Sequence, residues 1–205
     1  SRYDGGKYAQ TILEGDIHTA NQEAAGLPTR NDAKTFIYAL MYGAGDAKLG
    51  SIVDPTGTEQ SQARKGKLLR EKFYKNIPAL KRLTEDVQAA AKKRKFLIGV
   101  DGRRLYIRSQ HSALNTLLQS AGAVMMKYAT VLFHEFAHEA GFVLGMDYIQ
   151  VLHVHDEFQI NCRPEIVDQL GELAVKSIET AGRHFGLPCP TTGEYKKGSS
   201  WADTH

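Results

Sequence analysis

Arg30, Lys34, Tyr38 and Tyr42 fall four residues apart in the stretch RNDAKTFIYALMYGAG, residues 30–45. Each step of four turns an α-helix by only about 40°, so the four make one slanting stripe. Two cations followed by two phenol rings suit a nucleotide, the cations taking phosphates and the rings facing sugar and base. A solvated helix edge with two half-buried tyrosines has the same spacing, and the stripe alone does not separate the two readings. A second group, His155-Asp156-Glu157, lies between two alternating apolar stretches, 148–154 and 158–162. Two carboxylates in a tight hairpin are costly unless solvated or bound to a metal. A third group, His134-Glu135-Phe136-Ala137-His138, is a literal HExxH, the zinc-metalloprotease pattern of two histidines one helical step apart. Here both histidines are expected on the side of their helix away from its apolar stripe, beside Lys127. Gly141, Phe142 and Gly145 stand where a third ligand would complete the pattern. A polar outer helix face is the better reading of that motif.

The elements that must carry these groups are legible from caps and breakers. The spacing predicts helix, turn and helix over 3–22, broken at Gly15-Asp16 and capped by Asp16 or Thr19. Thr29 or Asn31 caps the striped helix, which Gly43 and Gly45 stop. A short helix is expected at 47–52, inside a glycine-punctuated loop. A charged helix over 59–76 has Leu68, Leu69, Phe73 and Ile77 as its buried edge, and Pro78 opens another that runs to about Lys93. Residues 96–100 and 105–107 read as two strands joined at Asp101-Gly102, a two-residue hairpin signal. The longest helix spans 112–140, with Leu114, Leu117, Leu118, Ala121, Met125, Tyr128 and Leu132 as its core face. Asn115, Gln119 and Gly122 lie about 100° from that face. A ridge of amides with a glycine admits a close backbone and donates to minor-groove acceptors, which every base pair carries; a solvated edge is the alternative. A last helix covers 164–185, and Trp201 is expected to anchor the tail.

Composition narrows the classes. The chain has 205 residues, 42% apolar and 24% charged, as in ordinary globular proteins. No apolar run reaches the ~20 residues of a membrane span, and no signal peptide opens the chain. Two cysteines, Cys162 and Cys189, fit a reducing compartment and no disulfide framework. The net charge is +3, but 64–108 holds 15 Lys/Arg against 4 Asp/Glu, a balance of +11, and the remainder balances at −8. A basic block beside an acidic remainder points to a polyanion, and a lysine-rich solvated helix is the plain alternative.

The word Arg-x3-Lys-x3-Tyr-x3-Tyr-Gly resembles the fingers-helix motif of family-A DNA polymerases, the DNA polymerase I group. GDIHTANQ (15–22), LPTR (27–30), AKTFIYALMYGAG (33–45), LNTLLQSAGA (114–123), VHDE (154–157) and the terminus Trp201-Ala-Asp-Thr-His205 resemble its bacteriophage replicative branch, in family order over nearly the whole chain. The resemblance implies an α/β right-hand polymerase fold fragment: helical fingers over 1–95 and a palm with a small antiparallel sheet over 96–205, without thumb or exonuclease. It implies template-directed addition of deoxynucleotides to a primer 3′-OH, with two Mg²⁺ ions. Asp156 is then the metal ligand, with Glu157 its neighbour nearer the primer end. His18, Arg30 and Lys34 hold the triphosphate, and Lys34 is the candidate proton donor to pyrophosphate. Tyr38 packs on the sugar, where branches with Tyr accept dideoxynucleotides and branches with Phe discriminate against them. Tyr42 packs on the templating position. Arg103, Arg104, Asn115, Gln119 and His155 are candidate contacts to primer–template DNA. One departure matters: the family's motif A, which carries the other metal-binding Asp, has no match, and Asp4 and Asp16 do not sit in its pattern. The chain is therefore expected to be inactive alone and to need an upstream segment or a second polypeptide carrying motif A. The bacterial host cytoplasm is the expected location if a phage encodes it. A single-subunit RNA polymerase has a similar fingers motif but typically reads His-Asp-Ser where this chain has His155-Asp156-Glu157. A non-catalytic DNA-binding fragment or subunit remains the alternative, followed by the zinc protease.

Overall fold

The structure is a computed structural model that describes residues 3–204. It divides into two compact units, 1–118 and 119–205, the boundary falling within one long helix.

In the first unit, α1 (Lys7–Glu14) and α2 (Ile17–Ala25) flank Gly15-Asp16, and Asp16 caps α2 by accepting from the His18 N–H. Tyr8 donates to the buried Asn21 Oδ1 at 3.1 Å and ties the two helices together. Helix α3 (Arg30–Met41) starts at Thr29, whose hydroxyl accepts from the Asp32 N–H. It buries Ala33, Phe36 and Leu40, which leaves the Arg30, Lys34 and Tyr38 side exposed. The helix ends one residue before Tyr42, and Gly43 at φ +80° turns the chain, a conformation that suits glycine. A Cβ at Gly43 would also lie 2.2 Å from the His111 carbonyl oxygen, so glycine is required there twice over.

Helix α4 is Asp46–Gly50, starting and ending slightly earlier than the spacing predicts, because Gly45 serves as its N-cap. It crosses α5 (Glu59–Asn76) where Gly50 meets Gly66, close enough that neither position has room for a side chain. Leu68, expected in the core, is 60% exposed; Gly66 and Phe73 are the buried positions of α5. The close crossing at Gly66 rotates the buried edge away from Leu68. Phe36 and Phe73 pack edge to face at 5.5 Å in a core completed by Ala25, Leu27, Ala33, Leu40 and Leu49. Helix α6 (Pro78–Arg94) leads to strands β1 (Phe96–Ile98) and β2 (Arg104–Tyr106), which pair antiparallel. Their connection differs from the two-residue turn expected. Gly99 N–H bonds to Arg103 O and Gly102 N–H to Gly99 O, which encloses three loop residues with Gly102 at φ +83°. The glycine takes the left-handed position that such a three-residue hairpin needs. Leu97 of β1 joins Val87, Ala91, Ala113 and Leu114 in a second small core.

Helix α7 (Ala113–Glu139) carries the chain into the second unit. Strands β3 (Tyr148–Val154) and β4 (Glu157–Cys162) form an antiparallel hairpin, with an irregularity in register between Gln150 and Leu152. Helix α8 (Val167–His184) follows a 3-10 turn at Pro164–Ile166. The core face of α7 is not the narrow stripe expected. Met126, Ala129, Phe133 and Ala137 are the most deeply buried positions in the second half of the helix, and Leu118 is 42% exposed. Phe133 and Ala137 pack with Tyr148 and Leu170, while Ala129 and Leu132 pack with Ala181 and Ile178. A helix covered on one side by a hairpin and on another by a helix buries a broader arc than a single stripe.

Trp201 is 50% exposed at the start of α9 (Trp201–Thr204), and several other residues tie down the tail. Tyr195 lies against Gly171, Lys197 pairs with Asp168 at 2.8 Å, and Asp203 accepts from the Ser199 and Ser200 N–H groups. Cys162 and Cys189 are free, half-buried thiols. Among the described residues, no helix is long and apolar enough to cross a membrane.

Candidate functional site

Three of the candidate nucleotide-binding residues, His18, Arg30 and Tyr38, are linked in the first unit, Arg30 through Asp16 and Tyr38 by its ring. Asp16 caps α2, so its side chain lies at the head of the turn that carries His18. Arg30 is the first residue of α3, and its guanidinium bonds Asp16 through Nε at 2.5 Å and Nη2 at 3.2 Å. The Arg30 fork, together with the His18 N–H and the Thr19 hydroxyl, holds the Asp16 carboxyl well below the usual carboxylate range. The pairing in turn raises the affinity of Arg30 for its proton. The His18 ring lies 6.5 Å from the Tyr38 ring, centroid to centroid, tilted by 50°. Its Nδ1 is buried and has no hydrogen-bond partner. A buried polar atom left unpaired is costly, so a nitrogen held this way is suited to a polar group brought by a ligand.

Lys34 is exposed one helical turn beyond Arg30 and forms no ion pair among the described residues. Tyr38 and Tyr42 are 52% and 55% exposed. Nothing in the wording of residues 15–22 singled out Asp16 as more than a helix cap. The signal was the presence of a carboxylate two residues before His18, at a helix start that must face the start of the next helix.

The basic hairpin is partly engaged with itself. Arg103 is ion-paired with Asp101, and Arg104 lies over the Phe96 ring at 4.9 Å. Neither partner was expected. Asp101 was read only as a turn residue, and the Arg104 contact arises because Phe96 pairs with Tyr106 across the strands, next to Arg104. Asn115 is half-buried on the first turns of α7 in this unit.

In the second unit, Val154 pairs directly with Glu157, so the β3–β4 turn consists of His155 and Asp156 alone. The sequence placed Glu157 in the turn; it is the first residue of β4 and is half-buried. His155 has φ +52°, the left-handed conformation that a two-residue hairpin demands of its first residue. That geometry leaves Asp156 exposed at the tip, while Gln159 donates to the Glu157 carboxylate. Carboxylate oxygens fit a hard divalent cation in chemistry. They do not fit it in number: among the described residues, no set of three His, Cys, Asp or Glu side chains is arranged to hold a metal. Gln119 is exposed, and a Cβ at Gly122 would meet nothing within 4 Å.

The HExxH motif is split by the fold. His134 does not lie on an outer polar face as expected; it stacks on Tyr148 at 5.7 Å, and its Nδ1 shares a 2.9 Å hydrogen bond with the Tyr148 hydroxyl. The hairpin folds over that side of α7 and covers it. His138 is exposed, so the two imidazoles have different surroundings.

The model of DNA polymerase family A matches residues 9–203. Over 222 aligned residues the chain is 42% identical to the DNA-directed DNA polymerase of Escherichia phage T7, and 41% identical to that of Enterobacteria phage T3. Each alignment covers 100% of this chain and 31% of the relative. A DNA polymerase I from Aquifex aeolicus is 31% identical over 84% of the chain and 30% of its own length. Among solved structures, the POL domain of Pol1 from M. smegmatis, in complex with DNA primer-template and dNTP, superimposes with a TM-score of 0.73. That match covers 88% of this chain and 33% of the other at 21% identity, and it shows the fold. The chain belongs to DNA polymerase family A, and it spans about a third of the length of these relatives.

Proposed function

We propose that this chain forms the fingers, residues 1–95, and most of the palm, residues 96–205, of a template-directed DNA polymerase that adds deoxynucleotides to a primer 3′-OH. The observation that carries the reading is the joining of His18 and Arg30 through one carboxylate, Asp16, with the Tyr38 ring beside the His18 ring, in a family-A polymerase chain. Arg30, Lys34 and His18 hold the triphosphate as charge-assisted donors. Lys34 also protonates the departing pyrophosphate. Tyr38 packs on the sugar and Tyr42 on the templating position. Arg103, Arg104, Asn115, Gln119 and His155 contact primer–template, the kind of partner bound to the M. smegmatis domain.

Asp156, exposed at a hairpin tip, is the metal ligand, and Glu157 stands beside it toward the primer end. Bound Mg²⁺ would supply Lewis-acid stabilisation of the attacking and leaving oxygens. The missing carboxylate comes from outside these residues, on an upstream segment or a second polypeptide carrying motif A. Support for that comes from the absence of a three-ligand cluster among the described residues and from relatives of which the chain spans 31%.

Asp156→Ala tests the reading in the complete polymerase. It should lower kcat by roughly 10³-fold or more, about 4 kcal/mol of barrier. Primer–template affinity should hardly change, because the loss lies in the transition state. Single-turnover extension and a DNA-binding titration separate the two quantities. Near-normal turnover would remove Asp156 from the metal site.

A further inference from the structure

We propose that Asp16 is a positioning residue for nucleotide binding: its carboxylate sets the Arg30 guanidinium and the His18 turn in the one arrangement that receives a triphosphate. The inference rests on the polymerase reading and adds to it a residue that the stripe did not contain.

Both Asp16 oxygens serve two elements at once. Oδ1 accepts from the His18 N–H at 2.9 Å and from Arg30 Nη2 at 3.2 Å. Oδ2 accepts from the Thr19 hydroxyl at 3.0 Å and from Arg30 Nε at 2.5 Å. The carboxylate is therefore fixed by α2 before Arg30 reaches it, and Arg30 takes its direction from a preset anchor. Its Nε edge is occupied and Nη1 makes no bond to Asp16. A guanidinium held by one edge presents its other donors in a fixed plane, which suits a phosphate oxygen. The pair is half-exposed, with side-chain accessibilities of 51% and 41%, and exposed ion pairs contribute little to folding. Orientation of a flexible side chain is what such a bond supplies instead. The same carboxylate caps the turn bearing His18, whose Nδ1 is buried and without a hydrogen-bond partner. One anion thus fixes both cationic or donor groups that the triphosphate would meet at this end of the stripe.

The test compares nucleotide kinetics of the complete polymerase with those of Asp16→Asn, Arg30→Ala and the double variant. Asparagine caps a helix about as well as aspartate, so α2 should keep its start while the charged two-point hold on Arg30 is lost. Asp16→Asn should raise the dNTP KM about tenfold and change kcat less than about twofold. Arg30→Ala should raise KM at least as much, and adding Asp16→Asn to it should have no further effect, because the first residue acts through the second. An Asp16→Ala variant should raise KM at least as much as Asp16→Asn and, in addition, show a lower melting temperature, because the cap of the His18 turn is lost as well. An unchanged KM in Asp16→Asn, with a raised KM in Arg30→Ala, would overturn the inference and leave the polymerase reading standing. Additive effects in the double variant would also overturn it. A lowered KM would overturn it in favour of a carboxylate that competes with phosphate. An unchanged KM in Arg30→Ala would remove the nucleotide assignment of the stripe itself, and this inference with it.

Discussion

Tyr38 distinguishes a nucleotide site from an ordinary aromatic edge. Its ring is 52% exposed, beside the His18 ring and two turns along α3 from Arg30, so little of it is needed by the core. A phenol hydroxyl can take the polar place that the substrate 3′-OH otherwise fills, so a nucleotide without that group leaves no polar partner unmet. Tyr38→Phe removes one oxygen and keeps the ring, and folding should hardly change. In the complete polymerase, dideoxynucleotide incorporation should fall at least about tenfold, or ~1.4 kcal/mol, with deoxynucleotide incorporation nearly unchanged. Competition of the two nucleotides on one primer measures the ratio, and an unchanged ratio would take Tyr38 out of the site. Residue identity carried this reading a long way, because four-residue spacing fixes a helical stripe whatever surrounds it. It could not reveal that Arg30 is held by Asp16. That bond joins residues 14 apart and exists only because the starts of α2 and α3 face each other.

Among the elements, the crossing of α4 and α5 holds the end of α3 in place. A Cβ on Gly66 would stand 1.9 Å from the Asp46 carbonyl oxygen, a backbone atom with little freedom to retreat. Arg70, one turn further along α5, bonds the Ala44 carbonyl and the Asp46 carboxylate at 2.8 and 2.9 Å. Gly66→Ala should therefore destabilise the first unit by roughly 1–3 kcal/mol through overpacking. Gly45→Ser is the control: nothing lies within 4 Å of that position, φ is −69°, and serine is a good N-cap. Thermal unfolding of both variants checks this, and equal melting temperatures would mean the crossing is not tight. Helix starts were legible here from Thr29 and Pro78, since capping is local chemistry. The buried edges were less so. Gly66 has no side chain to advertise its burial, and Leu68 looks like core until the glycine crossing turns it outward.

For the whole molecule, charge is the feature that makes a direct prediction. The chain on its own should bind primer–template with an affinity that falls at least tenfold between about 50 and about 200 mM salt, because phosphate contacts release counterions. It should not extend the primer in Mg²⁺, since the proposed metal site takes a carboxylate from elsewhere. Robust incorporation by the isolated chain would show that the site needs nothing from outside. The sequence by itself determined the family, the order of the helices, the striped helix and the Asp156 hairpin, because these follow from local spacing, caps and turn residues read in one direction along the chain. It misjudged the α7 face and the setting of His134. Each of those depends on which element, distant in sequence, comes to lie alongside: the hairpin covers His134, and α8 broadens the buried arc of α7. Only tertiary packing decides such partners, since burial and hydrogen bonding between remote segments leave no periodic mark on either one.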